Sequence, residues 1–142
     1  MNKLMQYLIS AAVLVMATSA QGEPDLRVLL NLPAQMQVHM LGNMRQHLVV
    51  IDQLLGMLAR EEFDKAADLA EAELGMSSLD KHGASHITSY YPKQSRQFGS
   101  NMHMAASRFS RIASEGDALA AYKALGGITQ NCVGCHATAK VR

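Results

Sequence analysis

The chain has 142 residues, 49% apolar and 18% charged, with 13 Lys and Arg against 12 Asp and Glu. This length and balance suit one globular domain and exclude a disordered charged tail or a strongly basic nucleic-acid binder. Aromatic residues make up only 5%, with no Trp, which argues against an aromatic-rich β-sandwich and for a helical core of Leu, Met, Ala and Val.

Residues 1–20 read as a secretory signal. Lys3 gives a positive start, Leu8 to Met16 form an apolar run, and Ala17-Thr18-Ser19-Ala20 supply small residues before the polar Gln21-Gly22-Glu23-Pro24. The run is shorter than the roughly 20 apolar residues that cross a bilayer, and no later segment approaches that length. Cleavage after Ala20 is expected to leave residues 21–142 as a soluble, formally neutral domain without a membrane span.

Four stretches of helical periodicity follow. From Pro33 to about Arg60, Leu41, Met44, Leu48, Ile51, Leu55 and Leu58 recur in steps of three and four, predicting one inward stripe. From about Glu62 to Met76, Phe63, Ala66, Ala67, Ala70 and Leu74 share a face. Glu61 and Glu62 suit the helix dipole at the start, and Gly75 lies near the end. A third helix is predicted from about Lys93 to Ser114, after Pro92, with Phe98, Met102, Ala105, Ala106, Phe109 and Ile112 aligned. The fourth should start with Asp117 as its cap and carry Leu119, Tyr122, Leu125, Thr129 and Cys132 along one side. The longest connection, Ser77 to Tyr91, has turn-forming composition around Gly83. No β alternation competes, so the expected fold is all-α, an antiparallel four-helix bundle.

The last helix ends in Cys132-Val133-Gly134-Cys135-His136, the C-x-x-C-H pattern of covalent c-type haem attachment. On a helix, positions i, i+3 and i+4 share a face. Two sulfurs can therefore bond the porphyrin periphery while the imidazole reaches its iron. Gly126, Gly127 and Gly134 would let a flat macrocycle or a neighbouring helix approach the backbone, at a helix-propensity cost of about 1 kcal/mol each. Other uses of these residues fit less well. A thioredoxin-like redox pair needs a βαβ context, a tetrahedral zinc site needs a further pair of ligands, and a Cys132–Cys135 disulfide would close a very small loop inside a helix.

A signal segment, four helical stretches and C-x-x-C-H close to the carboxyl end together resemble the cytochrome c-prime and cytochrome c-556 family. The resemblance covers about Leu32 to Arg142 and includes Phe63-Asp64-Lys65-Ala66-Ala67, which is similar to the start of that family's second helix. It implies one haem c bound through Cys132 and Cys135, with His136 as proximal iron ligand. It also implies a basic residue at Lys140 lying against that imidazole, with Ala139 standing where the family usually has an aromatic.

By the same resemblance, the first helix supplies whatever faces the iron's other side, either a Met thioether or an apolar residue over an open position. Met44 is the first choice for the distal ligand and Met40 the second. A histidine such as His47, or an open site, remains as an alternative. A closed coordination shell suits electron exchange with redox partner proteins, and an open one suits NO, CO or a similar diatomic ligand. The expected protein is thus a periplasmic electron carrier rather than an enzyme, with pairing into homodimers implied only by analogy. His82 and His86 are spaced to share a metal if their segment is helical, although two histidines without a third ligand are usually ordinary polar residues. His103 is expected beside the buried stripe of the third helix, bordering the haem pocket. Arg45 or Arg96 is expected near the propionates, within a possible basic rim of Arg60, Lys93, Arg108 and Arg111.

Overall fold

Proline and glycine punctuate the helices where the periodicity breaks. The computed structural model describes residues 23–142, so the expected signal at 1–20 lies outside the described residues. Strand β1 covers Val28–Leu29 and helix α1 covers Ala34–Ala59, entered through Pro33. Helix α2 spans Phe63–Leu74 and stops at Gly75. The connection that follows holds 3-10 turns at Met76–Ser78 and Thr88–Tyr90 and a short helix α3, Ala84–Ile87. Gly83, at φ 61°, takes the left-handed conformation that starts α3. Helix α4 runs from Lys93 to Ala113 behind Pro92, and α5 from Ala118 to Thr138. The Asp117 carboxylate caps α5 by accepting from the Ala120 N–H at 3.0 Å. Strand β2, Ala139–Lys140, pairs in parallel with β1, Val28 beside Ala139 and Leu29 beside Lys140.

The chain is therefore all-helical apart from this two-residue pairing. Helix α1 packs on α2, α2 on α4, and α4 on α5 over the most extensive interface. The small Ala66 and Ala70 of α2, both fully buried, allow α2 to lie close to its neighbours, while Leu54, Leu74, Phe109 and Ile128 fill the core. Each such large side chain contributes roughly 1.5–3 kcal/mol by leaving water. Helices α1 and α5, by contrast, barely touch. The gap between them positions the site.

That gap corrects two of the expected stripes. On α1, the residues turned inward are Met40, His47, Val50, Leu54 and Leu58, whereas Leu48 is 71% and Leu55 44% exposed. Val50, Leu54 and Leu58 face the core, while Leu41, Met44, Leu48 and Ile51 border a cavity toward α5. One helix thus presents two adjoining apolar faces. On α5, the buried positions are Ala121, Leu125 and Ile128, leaving Leu119 and Tyr122 exposed. Ala121 permits the close α4–α5 approach, so the larger side chains on either side of it turn outward.

Candidate functional site

The cavity between α1 and α5 measures about 590 Å³, within the roughly 300–1,000 Å³ usual for cofactor and ligand sites. Its walls are mainly apolar, from Met44 and Ile51 on α1 to Phe98 and Met102 on α4. Cys132, Cys135 and His136 come from the last turns of α5, and the β1–β2 end contributes Leu30 and Ala139. A second hollow of about 550 Å³, between α4 and α5, is lined by no thiol or imidazole.

Helical spacing puts Cys132, Cys135 and His136 on one side of α5, and all three reach the cavity wall. Both cysteines are free and half-buried. Burial pushes both thiols above the usual range, so they are protonated at neutral pH. The Cys132 thiol donates to the Ile128 carbonyl at 3.5 Å. Val133 is 67% exposed and faces away. Gly134 has a packing reason: a Cβ there would stand 2.5 Å from Phe98 Cε1. Gly126 has no such neighbour and Gly127 only an ordinary contact with Ala105, so close approach is a property of Gly134 alone. Arg27 Nη1 donates to the His136 carbonyl at 3.4 Å, tying the segment before β1 to the end of α5.

Three buried imidazoles also belong to the lining: His47 of α1, His82 of the long connection and His103 of α4. The rings of His47 and His82 have centroids 4.7 Å apart, those of His82 and His103 5.5 Å, and those of His47 and His103 6.4 Å. His103 donates from Nδ1 to the Leu74 carbonyl at 2.7 Å. The His82 carbonyl lies 3.0 Å from His39 Nε2 and accepts from Asn43 Nδ2 at 3.2 Å, and Ser78 Oγ lies 3.5 Å from His82 Nδ1. His47 Nε2 differs from these. Among the described residues it is the buried side-chain nitrogen that finds no hydrogen-bond partner. Burial, reinforced by His82 and His103, moves the His47 pKa from 6.5 down to about 4, so its ring is neutral at pH 7.

Met40 and Met44 both line the cavity, but in different ways. Met40 is buried in a small apolar cluster with Leu30, Leu32, Ile87 and Ala139, whereas Met44 is half-buried on the wall. His82 and His86 do not share a helical face, because α3 begins only after Gly83, leaving His82 buried at the cavity and His86 exposed. The expected basic partners change as well. Arg96 donates to the Tyr91 carbonyl at 3.0 Å and Arg45 is exposed, while the cavity is bordered by Arg27, Lys140 and Arg142. The Lys140 ammonium lies 3.1 Å from the Asp25 carboxylate, which Arg27 also grips at 2.9 Å. Those hydrogen bonds, Arg27's first, hold the Asp25 carboxyl well below the usual range. Tyr91, also lining the cavity, stays protonated because burial, with Cys135 nearby, pushes its pKa up to about 12.

Apolar periodicity does not bring His47, His82 and His103 together, although His47 and His103 are each expected near the pocket. Met40, Met44, His47, Ile51, Leu54 and Leu58 themselves alternate steps of four and three, so admitting a polar member would have revealed both the true face and the buried imidazole. Among the described residues no group of three or more His, Cys, Asp or Glu is gathered to hold a metal ion, and the trio is a set of packed rings rather than a chelating cluster. The residues do fit a flat macrocycle. They combine a cavity of about 590 Å³, two free thiols and an imidazole from one face of α5, an unpartnered buried nitrogen from α1, and the cations Arg27, Lys140 and Arg142 that could meet carboxylates. No family model matches the chain, nor does any curated protein or solved structure.

Proposed function

We propose that this chain is an exported c-type cytochrome that carries single electrons on one haem c, attached at Cys132 and Cys135 and ligated by His136, within an antiparallel four-helix bundle. The observation that carries the reading is the meeting of two free thiols and an imidazole, in C-x-x-C-H spacing, on the wall of a cavity of about 590 Å³. The short connections between α1 and α2 and between α4 and α5, with the sequential packing of the four long helices, support the bundle.

The bound group would supply reversible exchange between ferrous and ferric iron. The chain's own residues tether, orient and shield it. Cys132 and Cys135 would hold its edge through thioethers, and His136 would present a ring nitrogen from the same helical face. Apolar side chains such as Leu41, Ile51, Phe98 and Met102 keep water from most of the cavity. Arg27, Lys140 and Arg142 offer charge partners to haem carboxylates. From α1, Met40, Met44 and His47 all reach the lining, so any of them would be at hand for the iron, and with none bound the iron would keep a position open to NO, CO or a similar ligand. Redox partner proteins would dock at the open side of this cavity. Pairing with a second copy is carried over by analogy with the resembled family alone. No helix among the described residues is long and apolar enough to cross a membrane, and periplasmic residence follows from the signal pattern and the site of c-type haem attachment.

The test is production in a host that attaches c-type haem, followed by haem staining of the denatured protein on a gel and by intact mass. Covalent haem leaves a stained band and adds one haem to the mass, and the double substitution Cys132→Ala and Cys135→Ala abolishes both. An unstained parent chain at apoprotein mass overturns the proposal.

A further inference from the structure

We infer that His47, rather than Met44 or Met40, is the residue of α1 that coordinates the iron opposite His136, so that the haem is held between two imidazoles. This rests on the haem reading above and adds to it the identity of the distal ligand.

Three observations separate the candidates. First, His47 is 8% exposed, lines the cavity that holds Cys132, Cys135 and His136, and has a buried Nε2 with no partner in the protein. An imidazole nitrogen withdrawn from water needs a partner, whereas a methionine thioether packs as an apolar group and needs none. Met44 and Met40 are therefore complete without a metal, and His47 is not. Second, Met40 is already packed against Leu30, Ile87 and Ala139, so turning its sulfur toward the iron would open that cluster.

Third, the neighbours of His47 are tethered. His103 is anchored by its Nδ1 bond to Leu74, and His82 through its carbonyl to Asn43. Their rings flank that of His47 at 6.4 and 4.7 Å, the first perpendicular to it. The His103 ring, held by its own hydrogen bond, and the His82 ring, packed at 4.7 Å with Ser78 Oγ 3.5 Å from its Nδ1, limit the orientations open to His47, the kind of outer-shell support that metal-ligating histidines receive.

The experiment uses the full chain matured with haem. Staining of the denatured protein first establishes attachment, and the ferric absorption and electron spin resonance spectra then read the axial ligands. The expected result is a low-spin parent protein without a sulfur-to-iron band at the red end of the spectrum. Met44→Leu should leave the spectra unchanged. His47→Gln should convert them largely to high spin, with added imidazole restoring low spin. Should His47→Gln fail to accumulate, the near-infrared magnetic circular dichroism of the parent distinguishes two nitrogen ligands from nitrogen plus sulfur. A sulfur-to-iron band that disappears in Met44→Leu, or a high-spin parent, overturns the assignment while leaving the haem reading intact. An unstained parent overturns both.

Discussion

The ring of Phe98 lies so close to Gly134 that a methyl group on that glycine would meet Phe98 Cε1 at 2.5 Å. The contact joins α4 to the middle of the C-x-x-C-H segment, so the shape of the cavity wall depends on the one residue there without a side chain. Gly134→Ala gains about 1 kcal/mol of helix propensity but overpacks the contact by about 1–3 kcal/mol. The expected outcome is a lower urea midpoint and weaker haem staining, with both recovering when Phe98→Leu is added. A midpoint that rises on Gly134→Ala alone would contradict the packing argument.

Acid should destabilise the haem-free chain through His47. Its pKa falls from 6.5 in the unfolded chain to about 4 in the fold, so between these values the unfolded state binds a proton that the folded state refuses. The contribution is fully present above pH 6.5 and is lost as pH drops from 6.5 through 4, on the order of 3 kcal/mol in total. Burial acts on His82 in the same direction. Urea midpoints measured from pH 7 to pH 4 should fall, and His47→Gln should flatten that slope; an unchanged slope would refute the assignment.

The two methionines of α1 should respond differently to truncation. Met40→Ala empties a place in the cluster with Leu30, Leu32 and Ile87 and is expected to cost about 2–5 kcal/mol. Met44→Leu keeps volume on a half-buried wall and should cost less than about 1.5 kcal/mol. Equilibrium unfolding of the two variants decides the order.

Asp25→Asn should loosen the end of the cavity without changing global stability. The carboxylate joins Arg27 and Lys140 at the surface, where ion pairs contribute little to overall folding. The Leu30 N–H donates to the Lys140 carbonyl at 2.8 Å beside them. Hydrogen exchange at Leu30 should speed up in the variant while core amides near Leu54 keep their protection.

Periodicity and punctuation located the four long helices to within a residue or two, because Pro33, Gly75, Pro92 and Asp117 mark physical limits on helix propagation. The C-x-x-C-H face was equally readable, since it depends only on helical spacing. The direction of α1 was not. Its inward side includes His47, whose burial depends on His82 and His103 arriving from distant parts of the chain. Nor could spacing disclose Arg27, which reaches the cavity because a two-residue strand, too short for an alternation signal, lies beside Ala139 and Lys140.

That pairing also bears on the order of assembly. Val28 and Ala139 lie near opposite ends of the described sequence and meet only in this pairing, and closing so long a loop carries a larger entropic cost than docking neighbouring helices. The helices can therefore associate before the latch shuts, leaving Cys132 and Cys135 open from one end of a nearly finished fold. On the proposed reading, a rigid planar guest enters by that door, and the strand pair closes behind it.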